Sequence, residues 1–365
     1  MSSPDPPSEP GRDGTSDLPP RSAEDAVEGP LVPPPASGEP SDPPAVEWRR
    51  PGTSTFTIEG RAAPGLFVVG WLATIVGLGL VVIGLLSGGG LPAIILVVVA
   101  MVVLAIGLIA AAGSQGIERR ARGTARYQGP SPFLVFAAAI PISIVAAIVL
   151  SIPLAALGLP VAGPLGALLS VSVQAIVYVG LVRLLVVDTG ALDWRAMGVL
   201  ALDRVGLTQM ASGALWAVPV IFVTAVLAQI LLAIFPVTPT SPLPPTGTAS
   251  GFILSFIAGA LVAPFGEEIL FRSFATTAWA RGMGARRGLV VGALFFAFAH
   301  VVTLSGASAG DAFGLAVVAF VGRIPVAFAL GWLFLRRGTI WASFGLHATF
   351  NGLLLVLAEM AARAI

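Results

Sequence analysis

The stretch GALVAPFGEEILFRSFATTAWA, residues 259–280, sets two adjacent glutamates and an arginine in otherwise apolar surroundings. One ionisable residue at the centre of a membrane helix costs about 2.5–3.5 kcal/mol on insertion scales. Glu267, Glu268 and Arg272 therefore need partners. On either side of them, apolar runs near the roughly 20 residues that cross a bilayer recur along the chain. They cover residues 65–86, 91–112, 132–155, 163–187, 208–235, 250–275, 288–304, 312–335 and 339–362. The breaks carry loop chemistry, as in Ser87–Gly90, Gly113–Pro130, Gly158–Pro164 and the Pro-rich Pro236–Thr248. The pattern predicts an all-α, polytopic transmembrane helical bundle of about eight to nine spans, with neighbours paired as antiparallel hairpins.

Composition agrees. Of 365 residues, 56% are apolar and 11% charged, against about 25% charged in soluble proteins. So few charges could not cover a globular surface, which excludes an ordinary soluble enzyme. There is no cysteine, hence no disulfide, Cys-ligated zinc or thiol nucleophile. All 20 basic residues are arginine, which excludes P-loop and Schiff-base lysines. A net charge of +1 gives no reason to expect a nucleic-acid partner.

Residues 1–46 differ from the rest. They hold nine of the 19 acids and 13 of the 30 prolines, with only Arg12 and Arg21 as bases. Such a segment cannot bury enough apolar surface to offset chain entropy and is predicted to be disordered. It lacks the basic, then apolar, order of a signal peptide. The chain accordingly divides into a disordered cytoplasmic tail (1–60), an N-terminal transmembrane hairpin with a basic loop (61–130), and a transmembrane core (131–365) with its motifs in 250–355.

Arginine placement predicts topology. With the N-terminus cytoplasmic, the inner loops carry Arg119, Arg120, Arg122, Arg126, Arg195, Arg204, Arg281, Arg286, Arg287, Arg336 and Arg337. The outer loops then carry none, as the positive-inside rule requires. Nine spans leave the C-terminus outside, with Arg363 a mild exception.

Between residues 131 and 365 the acids are Asp188, Asp193, Asp203, Glu267, Glu268, Asp311 and Glu359. Only Glu267 and Glu268 lie deep in an apolar run. The deep bases are Arg272 and Arg323, and the chain's two histidines, His300 and His347, both fall inside spans. Glu268 and Arg272 are spaced i,i+4 and can pair on one helix face. Glu267 points about 100° away. His347 and Asn351 share the i,i+4 spacing, as do Phe296 and His300. Counting roughly 1.5 Å per residue from the inner arginines, Glu267, His300, Asn351 and Arg323 reach nearly one depth, with His347 slightly short of it. Arg323 is expected to neutralise one of the glutamates.

A carboxylate, two imidazoles and an amide at one depth can hydrolyse a peptide bond. Glu267 is the candidate general base toward water, and one imidazole can orient that water. The second imidazole and the amide can stabilise an oxyanion. The same Glu267, His300 and His347 could instead hold a divalent metal such as zinc, with an open position, although no H-E-x-x-H is present.

The order E-E-x-x-x-R (Glu267, Glu268, Arg272), F-x-x-x-H (Phe296, His300) and H-x-x-x-N (His347, Asn351) resembles the CPBP family. These are the CAAX proteases and bacteriocin-processing enzymes, also called Abi proteins or glutamate intramembrane proteases. The resemblance covers about residues 250–355. It implies a helical bundle open to the cytosolic leaflet and an intramembrane endopeptidase. Glu267 with His300 would activate water, His347 and Asn351 would hold the oxyanion, and Glu268 and Arg272 would position the helix. Family members are often called metalloproteases, although the glutamate mechanism needs no metal.

Two other classes fit midplane charges: a transporter, and a non-catalytic scaffold or immunity protein. Against transport stand the absence of an evident inverted repeat and the clustering of polar groups in the last four spans. The all-Arg, Ala/Gly-rich composition suggests a bacterial inner-membrane protein. Its partners would be the lipid bilayer and a peptide or membrane-protein substrate, prenylated or not.

Overall fold

The computed structural model describes residue 58 and residues 60–159, 162–238, 241, 243–302 and 304–364. The expected tail, but for residues 58 and 60, lies outside them. Among the described residues there are nine helices and no strand. They are α1 (Pro64–Leu86), α2 (Leu91–Arg122), α3 (Pro132–Ala156), α4 (Pro164–Val187), α5 (Arg204–Ile234), α6 (Ala249–Met283), α7 (Ala285–Ala299), α8 (Ala309–Arg337) and α9 (Ile340–Arg363).

Proline at the first or second position starts α1 to α4, where its missing N–H is not needed. Asp203, Ser308 and Thr339 cap α5, α8 and α9 by accepting backbone N–H groups. Inside α5, Pro219 cannot donate to the carbonyl of residue 215, and the helix breaks at Trp216. Eight of the nine helices are long and apolar enough to cross a membrane.

Eight spans lie within the expected eight to nine, and the remaining helix is the shorter one. Although the apolar run extends over 288–304, α7 has 15 residues, or roughly 22 Å at 1.5 Å per residue. That falls short of the roughly 30 Å hydrocarbon core. The helix stops at His300, and Val301 and Leu304 continue as turns, donating to the carbonyls of Phe298 and Val301. Hydropathy continues across residues whose backbone bonding has already left the helix.

The arginine-bearing helix ends are tied together. Glu118 on α2 accepts the Ala62 N–H at 3.0 Å beside the start of α1. Arg120 donates to Thr189 O beyond α4 at 3.4 Å, and the Trp341 indole donates to Leu200 O at 2.9 Å. At the opposite end Glu359 accepts the Thr246 N–H at 2.8 Å and pairs with Arg363 at 2.9 Å.

Small residues set the closest helix contacts, as they do where lipid gives no hydrophobic drive between helices. Gly213 of α5 lies against the Ala342 carbonyl of α9, and Gly345 of α9 lies against the Met210 carbonyl of α5. Gly266, next to Glu267, meets the Ala175 backbone of α4, where a Cβ would sit 2.8 Å away. Behind the polar centre lies an aromatic cluster of Phe136, Phe271, Phe295, Phe296 and Trp279. A side chain at Gly345 has nowhere to go but into backbone. Gly345→Val is expected to destabilise the detergent-solubilised protein by about 1–3 kcal/mol, read as a lower thermal midpoint.

Candidate active site

The centre of α6 is not a regular α-helix. Residues Ile257–Val262 and Glu268–Thr276 form π-helical turns on either side of the short α segment Ala263–Glu267. The Thr276 hydroxyl donates to Phe271 O, five residues back, at 2.8 Å. Such widened turns are rare and frequently mark functional sites. Here one begins at Glu268, immediately after Glu267.

Glu268 is fully buried, and three neighbours surround it. Arg272 Nη1 lies 3.3 Å from its Oε1. His347 Nδ1 of α9 lies 2.9 Å from the same oxygen. The Ser343 hydroxyl, one turn before His347, is close enough to interact with the carboxylate while donating to Ile340 O at 3.0 Å. Arg272 also stacks on Phe296 of α7, its guanidinium carbon 3.9 Å from the ring centre, a cation–π contact. The expected Glu268–Arg272 pair is present; its link to His347 was not anticipated.

Glu267 faces the other way, toward both imidazoles. Its Oε2 lies 3.8 Å from His300 Nε2 and 3.7 Å from His347 Nε2. Both distances exceed hydrogen-bond length. Glu267 and His300 keep 16% and 27% of their side-chain surface, whereas His347 keeps 5%. The first two are thus the accessible members. His300 Nδ1 lies 2.8 Å from Phe296 O, an acceptor only, so Nδ1 carries the proton and Nε2 turns a lone pair toward Glu267 in the neutral ring. Phe296 packs against both rings, its centre 4.5 Å from His300 and 5.7 Å from His347.

Two residues stand apart from this set. Asn351 is one turn beyond His347, and its amide donates to Gly259 O in the first π turn of α6 at 2.9 Å. Arg323 donates to Ala319 O on its own helix at 3.0 Å. Among the described residues it forms no ion pair with either glutamate, although Glu267 and His300 feel its charge. Its expected neutralising role is met by no direct contact: one backbone carbonyl holds the guanidinium. Ser343 could have been noticed from the Ser343, His347, Asn351 spacing. Gly259 could not, because its contribution is a backbone carbonyl.

The candidate metal set of Glu267, His300 and His347 was tested against this geometry. Among the described residues no group of three or more His, Cys, Asp or Glu side chains is arranged to hold a metal ion. His347 gives Nδ1 to Glu268, which leaves its Nε2, like that of His300, turned toward Glu267 at 3.7 and 3.8 Å. As they stand, Glu267, His300 and His347 make no metal-holding group.

Apolar helices of membrane-spanning length surround one polar, partly open carboxylate–imidazole centre, the arrangement of a polytopic membrane protein. Residues 249–353 match the family model described as type II CAAX prenyl endopeptidase Rce1-like, consistent with a CPBP family intramembrane protease. The matched segment begins with α6 and contains every motif residue from Glu267 to Asn351. No curated protein and no solved structure matches the chain. Together, the eight apolar helices and this domain indicate an integral membrane protein with the general character of an intramembrane endopeptidase.

Arg272 has a buried carboxylate to neutralise, and removing one partner of a buried pair costs about 3–5 kcal/mol. Arg272→Met is therefore expected to reduce the yield of monodisperse protein and lower its thermal midpoint. Arg272→Lys keeps the charge and should recover part of both.

Proposed function

We propose that this protein cleaves a peptide bond inside the membrane using water activated by Glu267 and His300. The observation that carries the reading is that Glu267 Oε2 sits 3.8 Å from one imidazole and 3.7 Å from the other. Glu267 Oε2 is buried and has no hydrogen-bond partner, and in this reading a water roughly 2.8 Å from it and from His300 Nε2 would bridge that gap. Glu267 takes the proton as the water oxygen attacks the carbonyl carbon, and passes it to the leaving amide nitrogen as the C–N bond breaks. In this reading His347 Nε2 donates to the developing oxyanion together with the second amide N–H of Asn351, whose first is given to Gly259; donors of this kind are each worth about 2.7–4 kcal/mol. For His347 this requires a proton on both ring nitrogens, one given to Glu268 and one to the oxyanion.

The substrate class that fits is a peptide or membrane-protein segment presented from the lipid; a prenylated C-a-a-X peptide is one such case. Glu267→Gln keeps the shape and removes the base. It should abolish cleavage, tested by comparing peptides released from membranes holding each form, while leaving expression and thermal midpoint unchanged. Retained cleavage would overturn the assignment of Glu267 as the base; no cleavage by the wild type would leave the scaffold reading, and solute flux in proteoliposomes would favour the transporter.

In the same proposal the arginine-bearing end faces the cytoplasm. Because the chain has no cysteine, Thr124→Cys in the loop after α2 supplies a single thiol. It should react with an impermeant maleimide only after the cytoplasmic side is opened.

A further inference from the structure

We propose that Glu268 is a positioning residue for His347, holding a proton on its Nδ1 and fixing the aim of the imidazole. This rests on the hydrolytic reading above and deepens it, because the family-based expectation gave Glu268 only the task of holding its own helix.

The geometry begins with an acceptor. Glu268 Oε1 lies 2.9 Å from His347 Nδ1, in hydrogen-bond range, and an ionised carboxylate can only accept. Nδ1 must then carry the proton, and Nε2 becomes the atom that meets the cleft, 3.7 Å from Glu267. A histidine's second nitrogen is ordinarily set by the partner its first nitrogen makes.

The carboxylate is in turn held still. It has no exposed surface, Arg272 Nη1 stands 3.3 Å from the oxygen that meets the imidazole, and Arg272 is pinned over the Phe296 ring. His347 is likewise clamped, with Phe296 at one side of its ring. A carboxylate that only neutralised Arg272 would not need to share that oxygen with an imidazole on another helix. Nor would the second π turn of α6 need to begin at this residue.

The chain's two histidines make a direct test practical. In full-length protein labelled with 15N-histidine, only two ring systems contribute, and His300→Gln assigns them. The His347 ring of the wild-type protein should show a protonated Nδ1. A neutral ring protonated only at Nε2 would overturn the proposal, and this reading needs neither substrate nor activity. If wild-type protein shows no peptidase activity, the hydrolytic reading falls while the spectrum still decides the Glu268–His347 contact.

Kinetics provide the second arm. Glu268→Gln, in material with a cooperative melt, should lower kcat by about 10- to 100-fold, the usual loss when a histidine's orienting partner is removed. KM should change little. In a His347→Ala background the same change should lower kcat no further, because the imidazole it serves is gone. Multiplying losses in the double variant would mean that Glu268 acts only on the fold, and would overturn the proposal. Should Glu268→Gln fail to fold, the wild-type spectrum alone decides.

Discussion

A carboxylate with no exposed surface at the middle of an apolar bundle cannot stand alone, and Glu268 is such a group. Its charge is met by Arg272 from the next turn of α6 and by His347 from α9. Arg272 then rests on Phe296 of α7. Satisfying one buried oxygen thus gathers three helices. The side chains given hydrolytic roles follow from it. Glu267 precedes Glu268, His300 follows Phe296 by one turn, and His347 is itself one of the partners. Strong pairing in a low-dielectric site is demanding in geometry, and that demand gives the centre its fixed shape.

The rest of the bundle makes that geometry reachable. Helices in lipid gain little from burying apolar side chains against each other, so close packing has to come from small residues. The reciprocal glycine contacts of α5 and α9 bring Gly345 against backbone two residues before His347. Gly266 does the same for α4 and α6 immediately before Glu267. The aromatic cluster on the far side of Phe271 and Phe296 fills the space behind. Close glycine packing thus lies beside the polar residues as well as between α1 and α2, while the outer faces of α1 and α5 leave large apolar side chains exposed, as lipid contact requires.

The π turns of α6 link backbone to chemistry. A regular helix gives every internal carbonyl a partner four residues on. Shifting that bonding by one residue reorients the carbonyl of Gly259, which receives the Asn351 amide. Glu267 and Glu268 sit where the second π turn begins. One glutamate faces two imidazoles on other helices while its neighbour points to an arginine and a different edge of one of those rings.

The sequence by itself determined the class of fold, because apolar runs of membrane-spanning length and arginines confined to alternate loops are properties of composition and order. It also determined which residues were candidates, since buried charge in lipid is costly enough to keep the number of such residues small. Residue spacing foretold the Glu268–Arg272 pair, which is local to one helix. Tertiary structure alone decided the rest. Where α7 ends depends on backbone bonding, which hydropathy does not record. Arg323 could be levelled with the glutamates by counting, but not assigned a partner, because its rotation about α8 depends on packing. The sharing of Glu268 between Arg272 and His347, and the turning of Glu267 toward both imidazoles, required three helices and a widened turn to be placed together. Spacing along one helix contains no information about the direction another helix approaches from.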